Sequence, residues 1–214
     1  MPTSLIPIAI CAAAHLCGSI PFGLLLGRLF GGTDVRKTGS GNIGATNVTR
    51  SAGLVAGLLT LLLDAAKGAA PVWLTRHYFP EHAALQMLAG LGALAGHCFP
   101  VWLNFRGGKG VATAAGVFLV LCLPAGACAL LIFAMVVGFW RYVSLASVSA
   151  AAAMPLLIYF LWAPHYAPPI SVTAGSLAAA LLIVYKHDAN LQRLVEGSEP
   201  KFSFGRTQQE KDAE

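Results

Sequence analysis

Long uncharged stretches of apolar residues constrain this chain more than any other feature of its sequence. Residues 111–140 contain thirty positions without a single Asp, Glu, Lys or Arg. A helix of about 20 mostly apolar residues is long enough to cross a bilayer. Only 11% of the 214 residues are charged, whereas about 25% are charged in a typical soluble domain. The sequence therefore predicts an all-α integral membrane protein without a separate soluble domain.

Apolar stretches of spanning length recur along the chain, and one of them is ambiguous. The stretch 111–140 fits either one long tilted helix or two short helices joined at Pro124-Ala125-Gly126. The first stretch is too long for the apolar part of a signal peptide, so we interpret it as a membrane helix. The unambiguous candidates are residues 4–30, 51–75, 82–104, 144–163 and 170–186.

The basic residues decide between the two interpretations of 111–140. Lys and Arg concentrate in loops 28–50 and 104–110, at Arg141 and in the C-terminal tail. Because basic residues concentrate in cytoplasmic loops, all four groups should lie on one side of the membrane. This requires 111–140 to cross an even number of times. We therefore predict a short helical hairpin there, seven transmembrane helices, an outside N-terminus and a cytoplasmic C-terminus.

The remaining composition sets the domain boundaries and excludes several partners. We assign residues 1–204 to one membrane domain and interpret the polar tail 205–214 as disordered. The isolated cysteines, without a C-x-x-C pair, do not favour a metal site. The basic balance reports membrane topology, so we expect no nucleic-acid partner and no cofactor.

A glycine-rich segment, residues 38–50, follows the first span. Its glycines alternate with Ser, Thr and Asn just before a predicted helix. Such a loop can bring backbone N–H groups close to an anion, and Arg50 adds a fixed charge. A solvated loop with a helix cap is the structural alternative. The candidate donors of this segment are Ser40, Asn42, Gly44, Thr46 and Asn47.

A second glycine-rich segment surrounds Lys109. Gly107, Gly108 and Gly110 flank the lysine where an apolar helix begins, and His97 precedes them. The helix N-terminus would add partial positive charge. The spacing is not that of a Walker A loop, because a glycine follows the lysine. The segment predicts a different phosphate cradle, with a simple basic membrane anchor as the alternative.

Two further polar segments border the last spans. His187 and Asn190 are three residues apart and Arg193 three more, so they share one helix face. Arg141 and Ser144 precede the span at 144–163. Each segment alone fits a capped helix end or a topology signal. If the four polar segments lie on the same membrane face, their cations and hydrogen-bond donors together would bind a dianionic phosphate.

Asp64 and Lys67 lie three residues apart inside the span at 51–75. Ionisable residues inside a membrane are functional candidates by default. The two charges can also simply neutralise each other in a structural role, which is our preferred interpretation.

At these segments the sequence resembles the bacterial acyl-phosphate:glycerol-3-phosphate acyltransferases, the PlsY family. The three family motifs match residues 39–50, 96–113 and 187–199, in order and with family-like spacing. The resemblance extends over nearly the whole chain. Asp188-Ala189 replaces a more usual Arg-Glu pair in the third motif, which affects only the details of that part of the site.

The resemblance implies transfer of a fatty acyl group from acyl phosphate to the 1-hydroxyl of glycerol 3-phosphate. The products would be lysophosphatidic acid and inorganic phosphate, in bacterial phospholipid biosynthesis. The partners implied are acyl phosphate, glycerol 3-phosphate and membrane lipid. The implied location is the bacterial inner membrane, with multiple spans, a periplasmic N-terminus and an active site facing the cytoplasm.

On this basis we expect Arg50 and Lys109 to bind phosphate and Ser40, His187 and Asn190 to contact glycerol 3-phosphate as catalytic residues. No protein nucleophile is obvious. The proton of the attacking hydroxyl could pass to a substrate phosphate oxygen or to His187, and an acyl-enzyme on Ser40 ranks below direct transfer. The expected substrate-binding residues are Asn42, Gly44, Thr46, Asn47, His97, Gly107, Gly108, Gly110, Arg141, Ser144 and Arg193, with the Gly107-Gly108 pair as a cradle for acyl phosphate.

Two functions from other classes compete with this interpretation. A transporter or channel for an organic phosphate would also be apolar with short broken helices, but transporters often carry inverted repeats and midplane sites. No such repeat is visible in the sequence, and the polar motifs lie at one interface. A lipid-binding scaffold without chemistry is the other alternative.

Overall fold

Helices account for almost all of the apolar sequence in the computed structural model, which describes residues 5–162 and 168–202. The predicted tail at 205–214 lies outside the described residues. Short 3-10 turns at Val35–Lys37 and Val101–Leu103 connect some of the helices. The α-helices of the described ranges are α1 (Ile6–Gly18), α2 (Phe22–Gly31), α3 (Ala45–Ala52), α4 (Leu54–Tyr78), α5 (Ala83–Cys98), α6 (Val111–Leu121), α7 (Leu123–Trp140), α8 (Val143–Leu161), α9 (Ile170–Lys186) and α10 (Asp188–Val195).

Several of these helices are long and apolar enough to cross a membrane, which confirms the prediction of an all-α membrane protein. Helices α9 and α10 bend by 59° at their junction and form a further span if the pair is taken as one. Helix α6 is apolar but has only 11 residues. The five clear spans among the described residues are Ile6–Gly31, Leu54–Tyr78, Ala83–Leu103, Leu123–Trp140 and Val143–Leu161.

The stretch 111–140 forms two helices, but they meet at Cys122 and not at Pro124. Pro124 lies at the second position of α7. Proline fits the first turn of a helix because the N–H it lacks has no partner there. Pro124 therefore belongs to the first turn of α7, and the expected turn at Pro124-Ala125-Gly126 was placed too late.

The first span is interrupted at Ser19, Ile20 and Pro21, between α1 and α2. A break leaves backbone carbonyls without intrahelical partners. Ser19 Oγ donates to the carbonyl of His15 at 2.8 Å, and Lys67 Nζ donates to the carbonyl of Ile20 at 2.8 Å. The intramembrane lysine therefore stabilises a broken helix that would otherwise expose polar backbone.

The second span also begins later than expected. Ser51 and Ala52 complete α3, and Gly53 separates this helix from α4 with a φ of 90°. A positive φ of this kind favours glycine. The spanning helix then runs from Leu54 to Tyr78.

Close backbone contacts join the central helices. A Cβ on Gly116 of α6 would lie 1.9 Å from the carbonyl oxygen of Ala65 in α4. Small residues allow such close helix packing in membrane proteins. The main cluster of buried apolar side chains adjoins this contact and includes Val72, Met87, Leu94, Val117, Phe118 and Ile158.

Gly116→Ala should destabilise the bundle because its methyl group has no room against the α4 backbone. Overpacking of this kind costs about 1–3 kcal/mol, so the thermal unfolding midpoint in detergent should fall by several degrees. Gly138→Ala is the matched control, because a Cβ there meets nothing within 4 Å. An equal midpoint for the Gly116 variant and the control would contradict the packing.

Candidate active site

One cavity brings together residues from all four polar segments. It has a volume of about 280 Å³. Helix α3 and its preceding loop form one wall, the start of α6 a second, and α8 with the α9–α10 junction a third. The predicted site residues that line it are Ser40, Asn42, Gly44, Thr46, Asn47, Arg50, His97, Lys109, Gly110, Ser144, His187, Asn190 and Arg193.

Asn47 holds the glycine-rich loop in shape. Its buried side-chain Nδ2 donates to the carbonyls of Val35 at 2.8 Å, Thr38 at 3.1 Å and Asn42 at 2.8 Å. Its Oδ1 accepts the backbone N–H of Ser40 at 2.9 Å. With both ends of the amide engaged, Asn47 orders the loop that presents Ser40 and Asn42 to the cavity.

A chain of polar contacts links the second motif to the third. Lys109 Nζ donates to Asn190 Oδ1. Asn190 Nδ2 donates to Glu199 Oε1 at 2.7 Å, and Arg193 Nε donates to Glu199 Oε2 at 2.8 Å. The amide of Asn190 thus stands between a cation and a carboxylate, and this fixes its orientation.

The surroundings of Lys109 lower the pKa of its amine. Burial first, and then the neighbouring cations Arg193, Arg50 and Lys186, together lower the pKa of Lys109 to about 8, against the opposing effect of Glu199. A phosphate in the cavity would reverse these effects, since an opposite charge favours the protonated amine. The site without ligand therefore has an excess of positive charge suited to an anion.

Glu199 remains ionised despite its partial burial. Burial raises the pKa of its carboxyl, but the hydrogen bonds from Asn190 and Arg193 outweigh that effect and hold it below the usual value. The motif match included Glu199, but we assigned it no role. Gly197, with a φ of 73°, turns the chain so that Glu199 comes back to Arg193. The sequence signal for this contact is a Gly-x-Glu pattern directly after the end of a helix.

Two cavity groups have unused hydrogen-bonding capacity. The side chain of Arg50 forms no hydrogen bond or ion pair within 5–162 and 168–202. Asn42 Oδ1 is buried and has no hydrogen-bond partner in the same ranges. Because buried polar atoms are normally paired, these two groups are available to a polar ligand.

His187 lies buried at the α9–α10 junction. Its Nδ1 is 2.7 Å from the carbonyl oxygen of Ile183. A carbonyl oxygen only accepts, so Nδ1 carries the hydrogen and Nε2 of a neutral ring keeps its lone pair. This tautomer leaves Nε2 able to accept a proton or a hydroxyl hydrogen.

Three predicted binding residues lie outside the cavity lining. The N–H groups of Gly107 and Gly108 donate to the carbonyls of Cys98 at 3.2 Å and His97 at 3.1 Å, so these groups are already engaged. Arg141 Nε donates to the carbonyl of Phe202 at 3.1 Å. The glycines order the loop beside His97, and Arg141 anchors the returning C-terminal segment.

The intramembrane pair lies at the deep edge of the polar cavity. Lys67 Nζ is 2.8 Å from Asp64 Oδ1, and both side chains are buried. Asp64 also lines the cavity, and its Oδ1 is 3.7 Å from His97 Nδ1. The pair therefore combines the expected mutual neutralisation with a position against a cavity residue.

Comparison with known proteins places this chain among acyltransferases. The family model for glycerol-3-phosphate acyltransferase matches residues 8–197. A protein of that name from Syntrophotalea carbinolica is 47% identical over 190 residues, covering 89% of this chain and 94% of its own. Another of that name, from Trichlorobacter lovleyi, is 51% identical over 194 residues, covering 89% and 95%.

Two crystal structures of PlsY (YgiH), an integral membrane glycerol 3-phosphate acyltransferase, have a similar fold. Its glycerol 3-phosphate form gives a TM-score of 0.85 at 36% identity and covers 92% of this chain and 96% of that one. Its lysophosphatidic acid form gives 0.84 at 36% identity and covers 92% and 95%. These matches confirm the resemblance drawn from the motifs.

Asn47→Ala should loosen the loop at residues 38–44, because three carbonyls and one N–H each lose a hydrogen bond. We expect faster hydrogen–deuterium exchange in that loop, with exchange in α4 unchanged. The exposed Lys37→Ala is the control and should exchange like the native protein. Native exchange rates in the Asn47 variant would show that its amide does not order the loop.

Proposed function

The chain belongs to the glycerol-3-phosphate acyltransferase family and is an acyltransferase, and from this premise we propose that it acylates the 1-hydroxyl of glycerol 3-phosphate with acyl phosphate as donor. The products are lysophosphatidic acid and inorganic phosphate. The observation that carries the proposal is the position of Arg50 and Lys109 in one cavity that also has an apolar surface. The phosphate groups of the two substrates match the cationic surface, and the hydrocarbon chain of the donor matches the apolar surface.

Glycerol 3-phosphate binds at the polar end of the cavity. Arg50 and Lys109 supply charge to its phosphate, and charge-assisted hydrogen bonds are the strong ones. Ser40 and Asn190 contact the glycerol hydroxyls, and His187 offers Nε2 to the same region. The PlsY form that contains glycerol 3-phosphate supports this ligand.

The acyl phosphate lies across the boundary between the two surfaces. Its phosphate meets the same cationic cluster, and its hydrocarbon chain follows the apolar wall formed by Val111, Ala115, Leu130 and Phe133. Burying apolar surface there contributes roughly 25 cal/mol per Å². The carbonyl carbon is then held where the polar and apolar walls meet.

Transfer proceeds in one displacement. The 1-hydroxyl oxygen attacks the carbonyl carbon, an ester C–O bond forms, and the bond from that carbon to the phosphate oxygen breaks. Inorganic phosphate leaves with the bonding electrons, stabilised by Lys109 and Arg50. The hydroxyl proton passes to a phosphate oxygen of a substrate, with His187 Nε2 as the alternative acceptor.

An acyl-enzyme on Ser40 is the less favoured route. Incubation with acyl phosphate alone, followed by mass spectrometry, distinguishes the routes. A covalent acyl adduct on Ser40 would replace the direct displacement.

We also propose an orientation in the membrane. The basic loops around Arg50 and Lys109 face the cytoplasm of a bacterial inner membrane, and the chain crosses it seven times with a periplasmic N-terminus. Residues 1–204 then form one catalytic membrane domain. The positive-inside distribution of Lys and Arg supports this orientation.

Lys109→Ala and Arg50→Ala should each lower kcat/KM roughly 100-fold or more, because each removes a charge that stabilises the leaving phosphate. The assay is phosphate release from acyl phosphate that depends on glycerol 3-phosphate. Arg106→Ala is the matched control, since Arg106 is exposed and lies three residues from Lys109 outside the cavity lining. Near-native rates in either cavity variant would refute its role, and no release by the native protein would refute the proposed reaction.

The pH dependence of kcat/KM should report Lys109. Its pKa is lowered to about 8, so the ammonium is present below that pH and is lost above it. We expect kcat/KM to fall as pH rises through about 8. In Lys109→Arg the charge persists, because a guanidinium stays protonated, so the decline should move to higher pH. An unshifted decline in that variant would assign the titration to another group.

A further inference from the structure

A second, apolar cavity continues the first into the bundle. It has a volume of about 50 Å³ and lies between α6, α7, α8 and α9. The two cavities share five wall residues, so they adjoin each other along this wall. The shared residues are Val111, Ala115, Leu130, Phe133 and Ser147.

The depth of this cleft follows from the helices that line it. Its lining extends from Val111 to Phe118 on α6, from Phe133 to Gly126 on α7 and from Ser147 to Met154 on α8. Each interval is seven residues, or about 10 Å of helix at 1.5 Å per residue. All three helices therefore lead from the polar cavity to one deep end.

Large side chains and a close backbone contact close that deep end. Phe118 and Met154 are buried there. A Cβ on Gly126 would lie 2.9 Å from the backbone nitrogen of Leu119, so α6 and α7 touch and leave no gap between them. The walls before this end are formed by small residues, including Ala129 and Ala151.

From this geometry we infer that Met154 and Phe118 set the longest acyl chain that the enzyme accepts, and that Ala151 keeps the path to them open. The inference rests on the proposed function, because the occupant is the acyl chain of the donor. The chain enters past Ser147, lies against the alanines and ends at Met154. A chain longer than the cleft must leave methylenes outside it.

Opposite changes at two positions on α8 test the inference. Ala151→Leu fills the cleft and should favour shorter chains, whereas Met154→Ala deepens it and should favour longer ones. We compare kcat/KM for a long and a short acyl phosphate. The ratio of the two values should change about fourfold for each methylene that is excluded from the cleft or newly buried in it, because burying one methylene contributes about 0.8 kcal/mol.

The matched controls lie on the same helix and face outward. Ala152 and Leu156 are exposed, so Ala152→Leu and Leu156→Ala should keep the native ratio. Binding of lysophosphatidic acids of graded chain length should show the same shifts without any transfer. This second measurement separates the chain-length inference from the proposed reaction. If the native protein transfers nothing from acyl phosphate, the proposed donor is refuted, but the binding series still measures which chain lengths the cleft accepts.

Shifts of opposite sign in the two variants, with unchanged controls, would support the inference. Native chain-length ratios in both variants, in transfer and in binding, would overturn it. Equal shifts in Ala152→Leu would also overturn it, because they would assign the effect to the lipid-facing surface. If Ala151→Leu does not fold, Met154→Ala alone decides between these outcomes.

Discussion

The contact of Lys109 with Asn190 is the interaction on which the site depends. A cation inside a bundle that faces lipid needs polar partners, because an unpaired buried charge is costly. Asn190 provides one, and Glu199 with Arg193 orients that amide from the other side. The same contacts join the start of α6 to the segment after α10, so the fold and the proposed anion site depend on the same hydrogen bonds.

The division between polar and apolar walls explains why such a site suits a lipid-forming reaction. The larger cavity contains the cationic groups and shares part of its apolar wall with the smaller, apolar cleft. A donor with a phosphate and a hydrocarbon chain would be oriented by this difference alone. Orientation and charge neutralisation can supply much of the acceleration for an activated donor, which fits a site without an evident protein nucleophile.

The membrane fold and the meeting of the four polar segments could be predicted from the sequence. Burying a charge in a membrane is costly, so charge-free runs mark the spans and basic loops mark the side on which the segments meet. It placed the break in 111–140 too late, since Pro124 fits a first helical turn. The role of Glu199 depends on a turn of the chain that has no periodic signal. Sequence also cannot distinguish a glycine N–H that faces a ligand from one that donates to a carbonyl, as Gly107 and Gly108 do.

A single anion site built from separate polar segments requires that all of these segments lie on one face of the membrane. Single cysteines are introduced at Ser40 in the glycine-rich loop, Ala112 at the start of α6 and Pro200 after α10, in a chain with its own five cysteines replaced. All three positions line the cavity. An impermeant thiol reagent applied to oriented vesicles should label all three from the cytoplasmic side, and glycerol 3-phosphate should slow each reaction. Labelling from opposite sides, or labelling that this ligand does not slow at any position, would contradict the shared site.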